Sequence, residues 1–150
     1  MKLTEHFTFE ELTYTSHKDI LEANRESAKA FMKQLKYIAG TSEEIRAVLG
    51  VPLRVTSGFR SSQLNKLVGG SPTSGHTKGL CADVIPLGVD VVEAQKKIIA
   101  NKDKCPSLKK CILEMVKGSE WLHIETKTEA NQPTQFFITS NGKTYSEIKV

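Results

Sequence analysis

Cysteine is scarce and unpaired in this chain: Cys81, Cys105 and Cys111 make an odd number, and no Cys-x-x-Cys spacing occurs. That argues against a disulfide framework and against a thiolate-built zinc site, and it points to synthesis in a reducing compartment. Long apolar runs are missing as well. The opening Met1-Lys2-Leu3-Thr4-Glu5-His6-Phe7 lacks the apolar stretch of a secretory signal, and nowhere does the chain approach the roughly 18 apolar residues of a membrane span. Neither export by the ordinary secretory route nor a membrane partner is expected. Charge is nearly balanced: 21 basic against 17 acidic residues leave a net charge of +4, and the lysines are scattered rather than set in a stripe with interleaved aromatics. No nucleic-acid partner is expected from such a distribution. Internal repeats and low-complexity tracts are absent.

What is there is an ordinary globular composition. With 150 residues, 39% hydrophobic and 25% charged, the chain has material for one domain over 1–150 around a single core, expected as a monomer. Thr8 and Glu11 form a capping box, with Phe7 and Leu12 placed as a hydrophobic staple, so a short helix is predicted to begin at Phe9. Ala28, Phe31, Leu35 and Ile38 recur at helical spacing from about residue 23, and Gly40 reads as the end of that helix. Thr41 and Glu44 offer a second capping box, with Ile45, Val48 and Leu49 facing inward and Gly50 as terminator. Further on, strands are predicted over 53–57, 82–87, 111–116 and 121–126, with a brief helix to about residue 68, another over 91–99, and a turn at Lys117-Gly118-Ser119. Asn141-Gly142 between two β-prone runs signals a type I′ hairpin. Helices first and strands later give an α+β domain, with helices packed on one face of a mainly antiparallel sheet and the site on the other.

The chemistry concentrates in Ser74-Gly75-His76-Thr77-Lys78-Gly79-Leu80-Cys81-Ala82-Asp83, which sets an imidazole and a carboxylate seven positions apart across a small-residue turn. Gly75 and Gly79 let the backbone bend so that His76 and Asp83 face one point, as ligands of a metal must. Only four histidines exist, and the best placed third ligand is His123, in Glu120-Trp121-Leu122-His123. Singly, each of these is an ordinary surface or turn residue; the conjunction is what makes a zinc reading specific.

Together these residues resemble the signature of the zinc D-Ala-D-Ala carboxypeptidase, D-alanyl-D-alanine dipeptidase and L-alanyl-D-glutamate endopeptidase family, Ser-x-His-x-x-Gly-x-Ala-x-Asp followed by Glu-or-Asp-x-x-His. Ser74, His76, Gly79, Asp83, Glu120 and His123 match it, and Cys81 is the one departure, standing where the family usually has alanine. The resemblance extends to Ser57-Gly58-Phe59-Arg60-Ser61 with Asn65, and to Glu5-His6-Phe7-Thr8. It implies the fold shared with the signalling domain of hedgehog proteins, Zn2+ as cofactor on His76, Asp83 and His123, and peptidoglycan stem peptides as substrate. It also implies Arg60 as the donor pair for an oxyanion, with Ser74 and Trp121 as substrate contacts.

On that ligand set Glu120 is the expected proton shuttle, which requires a break in the strand. Positions i and i+2 share a strand face, so Trp121 and Glu125 should accompany His123, and Glu120 can reach the metal only if it precedes the regular strand. Glu125 is the alternative acid. Which bond is cleaved stays open. Without a signal or wall anchor the chain suits a lysin acting on the cell wall once released, a prophage-derived enzyme or a cytoplasmic dipeptidase. A non-catalytic zinc-containing binding module, or a structural protein stapled by its metal, remains the alternative.

Overall fold

The computed structural model describes residues 1–150. Period-two patterning yields six strands: β1 Leu53–Ser57, β2 Cys81–Pro86, β3 Leu108–Val116, β4 Ser119–Thr126, β5 Gln135–Thr139 and β6 Ser146–Ile148. They form one sheet in the order β1-β2-β4-β3-β5-β6, antiparallel throughout except where β5 runs parallel to β3. Five helices accompany it, α1 Phe9–Leu12, α2 Leu21–Ala28, α3 Met32–Leu49, α4 Ser62–Leu67 and α5 Val91–Ala100. Leu35, Ile38 and Ile45 of α3 and Ala94 and Ile98 of α5 join Ala82, Val84, Leu113, Leu122, Ile124 and Phe136 of the sheet in one hydrophobic core. The arrangement is therefore α+β, with α3 and α5 covering one sheet face. No helix is long and apolar enough to cross a membrane.

The alternation that buries those residues turns their neighbours the other way. Asp83 in β2, Ile112 and Glu114 in β3, Trp121, His123 and Glu125 in β4 and Phe137 in β5 line a cleft of about 900 Å3 on the face that α3 and α5 leave uncovered. The helical segments before β2 supply its other wall. α1 begins as expected, with Thr8 and Glu11 exchanging both capping-box hydrogen bonds. Ser61 caps α4 by accepting from the Leu64 amide, which sets Arg60 just outside the helix.

β3 starts at Leu108 rather than 111, the helix expected from about residue 23 is split into α2 and α3, and three further boundaries differ from the sequence reading. Gly40 does not end a helix: α3 runs through it to Leu49, and Gly50 at φ 70° is the terminator. The presumed second cap is used across the fold instead, since the Thr41 hydroxyl bonds Thr126 at 2.8 Å and Glu44 accepts from the amide and hydroxyl of Ser107. The Asn141-Gly142 hairpin exists, but its loop spans 140–145 rather than two residues. Gly142 alone is left-handed there, and Asn141 Oδ1 accepts from the amides of Lys143 and Thr144 to hold the loop. The third difference is at β4. Lys117 and Gly118 both take positive φ, 52° and 81°, as a two-residue type I′ turn demands, and Val116 pairs directly with Ser119. The strand is thus already regular at Glu120.

Candidate metal centre and its cleft

His76 sits in a single 3-10 turn, Gly75–Lys78, opened by Ser74 and closed by Gly79 at φ 71°. Ser74 Oγ accepts from the His76 amide, and the ring Nδ1 lies 2.7 Å from the Gly58 carbonyl. A carbonyl only accepts, so Nδ1 donates to it, which leaves Nε2 as the nitrogen free to take a metal. That Nε2 is buried, has no hydrogen-bond partner, and lies 3.4 Å from Asp83 Oδ1.

Asp83 and His123 face each other because β2 and β4 pair in the register Asp83 to His123. His123 Nδ1 is 3.0 Å from Asp83 Oδ1, and its Nε2 is 2.9 Å from Glu125 Oε2. The structure therefore brings the three expected ligands together, their donor atoms all within 4.8 Å of one another. Zn–N and Zn–O bonds of about 2.0–2.1 Å put tetrahedral ligands about 3.3 Å apart, so this donor set and its orphaned lone pair fit zinc with small adjustment. Glu125 meets the far nitrogen of His123, the place of a carboxylate that orients a ligating imidazole.

The electrostatics follow from crowding. Burial would raise the Asp83 carboxyl, but the two imidazoles beside it prevail and hold it well below the usual range. For His123 burial works toward deprotonation, and hydrogen bonds to Asp83, Cys81 and Glu125 outweigh it, raising the ring well above its ordinary value. Glu114 is pushed up, first by burial and then by the Asp83 charge.

Arg60 lines the cleft, with its amide on the His76 carbonyl at 3.0 Å and Nη1 on Asn65 Oδ1 at 3.2 Å. Ser74 and Trp121 line it too. Glu120 does not. It shares its strand face with Leu122 and Ile124, the helix side of the sheet, and lies exposed beyond the covered core opposite Met115. The type I′ turn removes the bend that would have swung Glu120 toward the ligands, and its expected position at the metal is corrected accordingly.

The acid that reaches the cleft without being bonded to His123 is Glu114. It pairs with Trp121 across β3 and β4, and the indole Nε1 donates to its Oε2 at 2.8 Å. A signal for it lay in the sequence: Glu114 is the lone charge in the apolar run Cys111-Ile112-Leu113-Glu114-Met115-Val116, an acid placed where a strand is otherwise buried.

Residues 5–125 match the family model described as Peptidase M15. No curated protein matches the chain closely enough to add a relative to that finding.

Proposed function

Because the chain belongs to the peptidase M15 family, we propose that it is a zinc metallopeptidase that hydrolyses peptide bonds in peptidoglycan stem peptides, as a carboxypeptidase or an L,D-endopeptidase. The observation that carries this reading is the convergence of His76 Nε2, Asp83 Oδ1 and His123 Nδ1 at the floor of a cleft also lined by Glu114. Zinc held there would supply Lewis acidity, polarising a carbonyl and easing the deprotonation of water.

The chain's own residues do the rest. Glu114, raised by burial and steadied by the Trp121 indole, takes a proton from the attacking water and returns it to the leaving amine. Arg60, braced on Asn65, keeps guanidinium donors at the cleft for the oxygen that gains charge as the carbonyl becomes tetrahedral. Trp121 and Ser74 contact the substrate backbone beside the ligands. Lys78, Lys109 and Lys110 line the same cleft, which supports a substrate bearing free carboxylates, as stem peptides do.

The test is mass spectrometry of products released from purified peptidoglycan by the zinc-loaded protein. Release of stem-peptide fragments, stopped by a chelator and restored by zinc, is the expected result, and the masses identify the bond. Stoichiometric zinc with no product from any wall preparation would transfer the fold to the non-catalytic binding reading.

A further inference from the structure

Cys81 is two positions before Asp83 on the same face of β2, and its register partner in β4 is Glu125. Its thiol is 1% exposed and belongs with His123 and Glu125 to a second group of donors, again all within 4.8 Å of one another. Space for the sulfur is made from the opposite side: a Cβ on Gly75 would collide with Cys81 Sγ. Glu125 lines the cleft, which gives an ion a path to the group.

We propose that Cys81 Sγ, Glu125 Oε2 and His123 Nε2 form a second metal position, adjoining the first through the shared His123 ring and taking a thiophilic divalent cation, Zn2+ in excess or Cd2+. The inference rests on His76, Asp83 and His123 being the first site but not on hydrolysis. A histidine offers two nitrogens on opposite edges, and here they point to different partners, Nδ1 to Asp83 at 3.0 Å and Nε2 to Glu125 at 2.9 Å. With the first ion on Nδ1, the Nε2 hydrogen is held by Glu125. A second ion replaces that hydrogen and the thiol hydrogen, so two protons leave to solvent and the ring becomes a bridging imidazolate. Sulfur, nitrogen and oxygen donors together are a set that zinc accepts, with a fourth position facing the cleft. The first site lacks sulfur and the second contains it, so the two differ in softness. Cd2+ is expected to prefer the second.

Titration of the metal-free full-length protein with Co2+ separates the sites, because only a thiolate ligand gives a near-ultraviolet sulfur-to-cobalt charge-transfer band. Wild type should take two equivalents, with the band growing on the second. Cys81→Ser should take one equivalent and show no band. Cys105→Ser should behave as wild type, since Cys105 lies outside both donor groups. His76→Ala should show the band on its first equivalent, because it loses only the first site. A wild-type protein that binds one equivalent and never develops the band would overturn the proposal. So would a band that survives Cys81→Ser. Because none of these readouts is hydrolysis, an inactive protein that still shows the Cys81-dependent band would keep the second site and refute only the peptidase reading.

Discussion

A carboxylate serves as proton shuttle only if it reaches the cleft, and Glu114 and Glu125 do so while Glu120 points away. Glu125 is already committed to His123 Nε2, which leaves Glu114. Glu114→Gln should keep the fold and the metal, as the amide oxygen can still accept from the Trp121 indole, while hydrolysis falls by about 10²–10⁴. The measurement is kcat/KM alongside metal content, with Glu120→Gln expected to match wild type. A shuttle must be ionised to take a proton, so activity falls as pH drops through its pKa. Because burial and Asp83 raise Glu114, that acidic limb should sit at higher pH than an unperturbed glutamate would give and vanish in Glu114→Gln. The convergence of His76, Asp83 and His123 was legible in the sequence because Gly75 and Gly79 allow the turn to bend and the spacing of all three matched a family signature. The shuttle was not, because Glu120 and Glu114 lie on opposite sheet faces, and which face an acid occupies depends on where β4 begins. Lys117 settles that by adopting φ 52°, a left-handed conformation its residue type seldom takes.

Helix α3 shows the same dependence one level up. Its apolar spacing was readable, and so was its end at Gly50, where φ 70° favours glycine. Gly40 misled because glycine is a helix breaker only when nothing compensates, and here Ile38, Ala39, Ile45 and Leu49 bury on both sides of it. The two glycines should therefore respond in opposite senses to alanine. At Gly40 an added Cβ meets nothing within 4 Å, so Gly40→Ala should stabilise by about 0.5–1 kcal/mol. At Gly50 the left-handed backbone makes Gly50→Ala cost about 1–2 kcal/mol. Thermal melts of the two variants check this, and a fall in Tm for Gly40→Ala would mean that the helix is interrupted there after all. Thr41, inside α3, ties the helix to the end of β4 through its hydroxyl bond to Thr126. Thr41→Val should cost about 0.5–1.5 kcal/mol, one hydrogen bond, since the Thr126 hydroxyl keeps its bond to the Lys127 carbonyl.

For the molecule as a whole, the three proposed ligands come from elements that only the folded sheet assembles: a 3-10 turn for His76, β2 for Asp83 and β4 for His123. The unfolded chain separates His76 from His123 by dozens of residues and cannot reproduce donors 3.0–3.4 Å apart. Metal binding is therefore coupled to folding, and a ligand that binds the native state alone stabilises it by about 4 kcal/mol at a thousandfold excess over its Kd. For a chain of this size each kcal/mol moves Tm by roughly 2–4 °C, so a chelator should lower Tm by roughly 10 °C and zinc should restore it. The control lies in the variants. Glu114→Gln, which touches no ligand, should show the full chelator shift, whereas His76→Ala should melt lower and keep only the smaller shift that an ion on Cys81, His123 and Glu125 can give. If wild type and His76→Ala shifted equally, the stabilising ion would reside elsewhere and the triad would lose its place as the metal centre. If neither shifted while both bound zinc, the ion would bind the unfolded chain as tightly as the native one, and metal binding would not be coupled to folding.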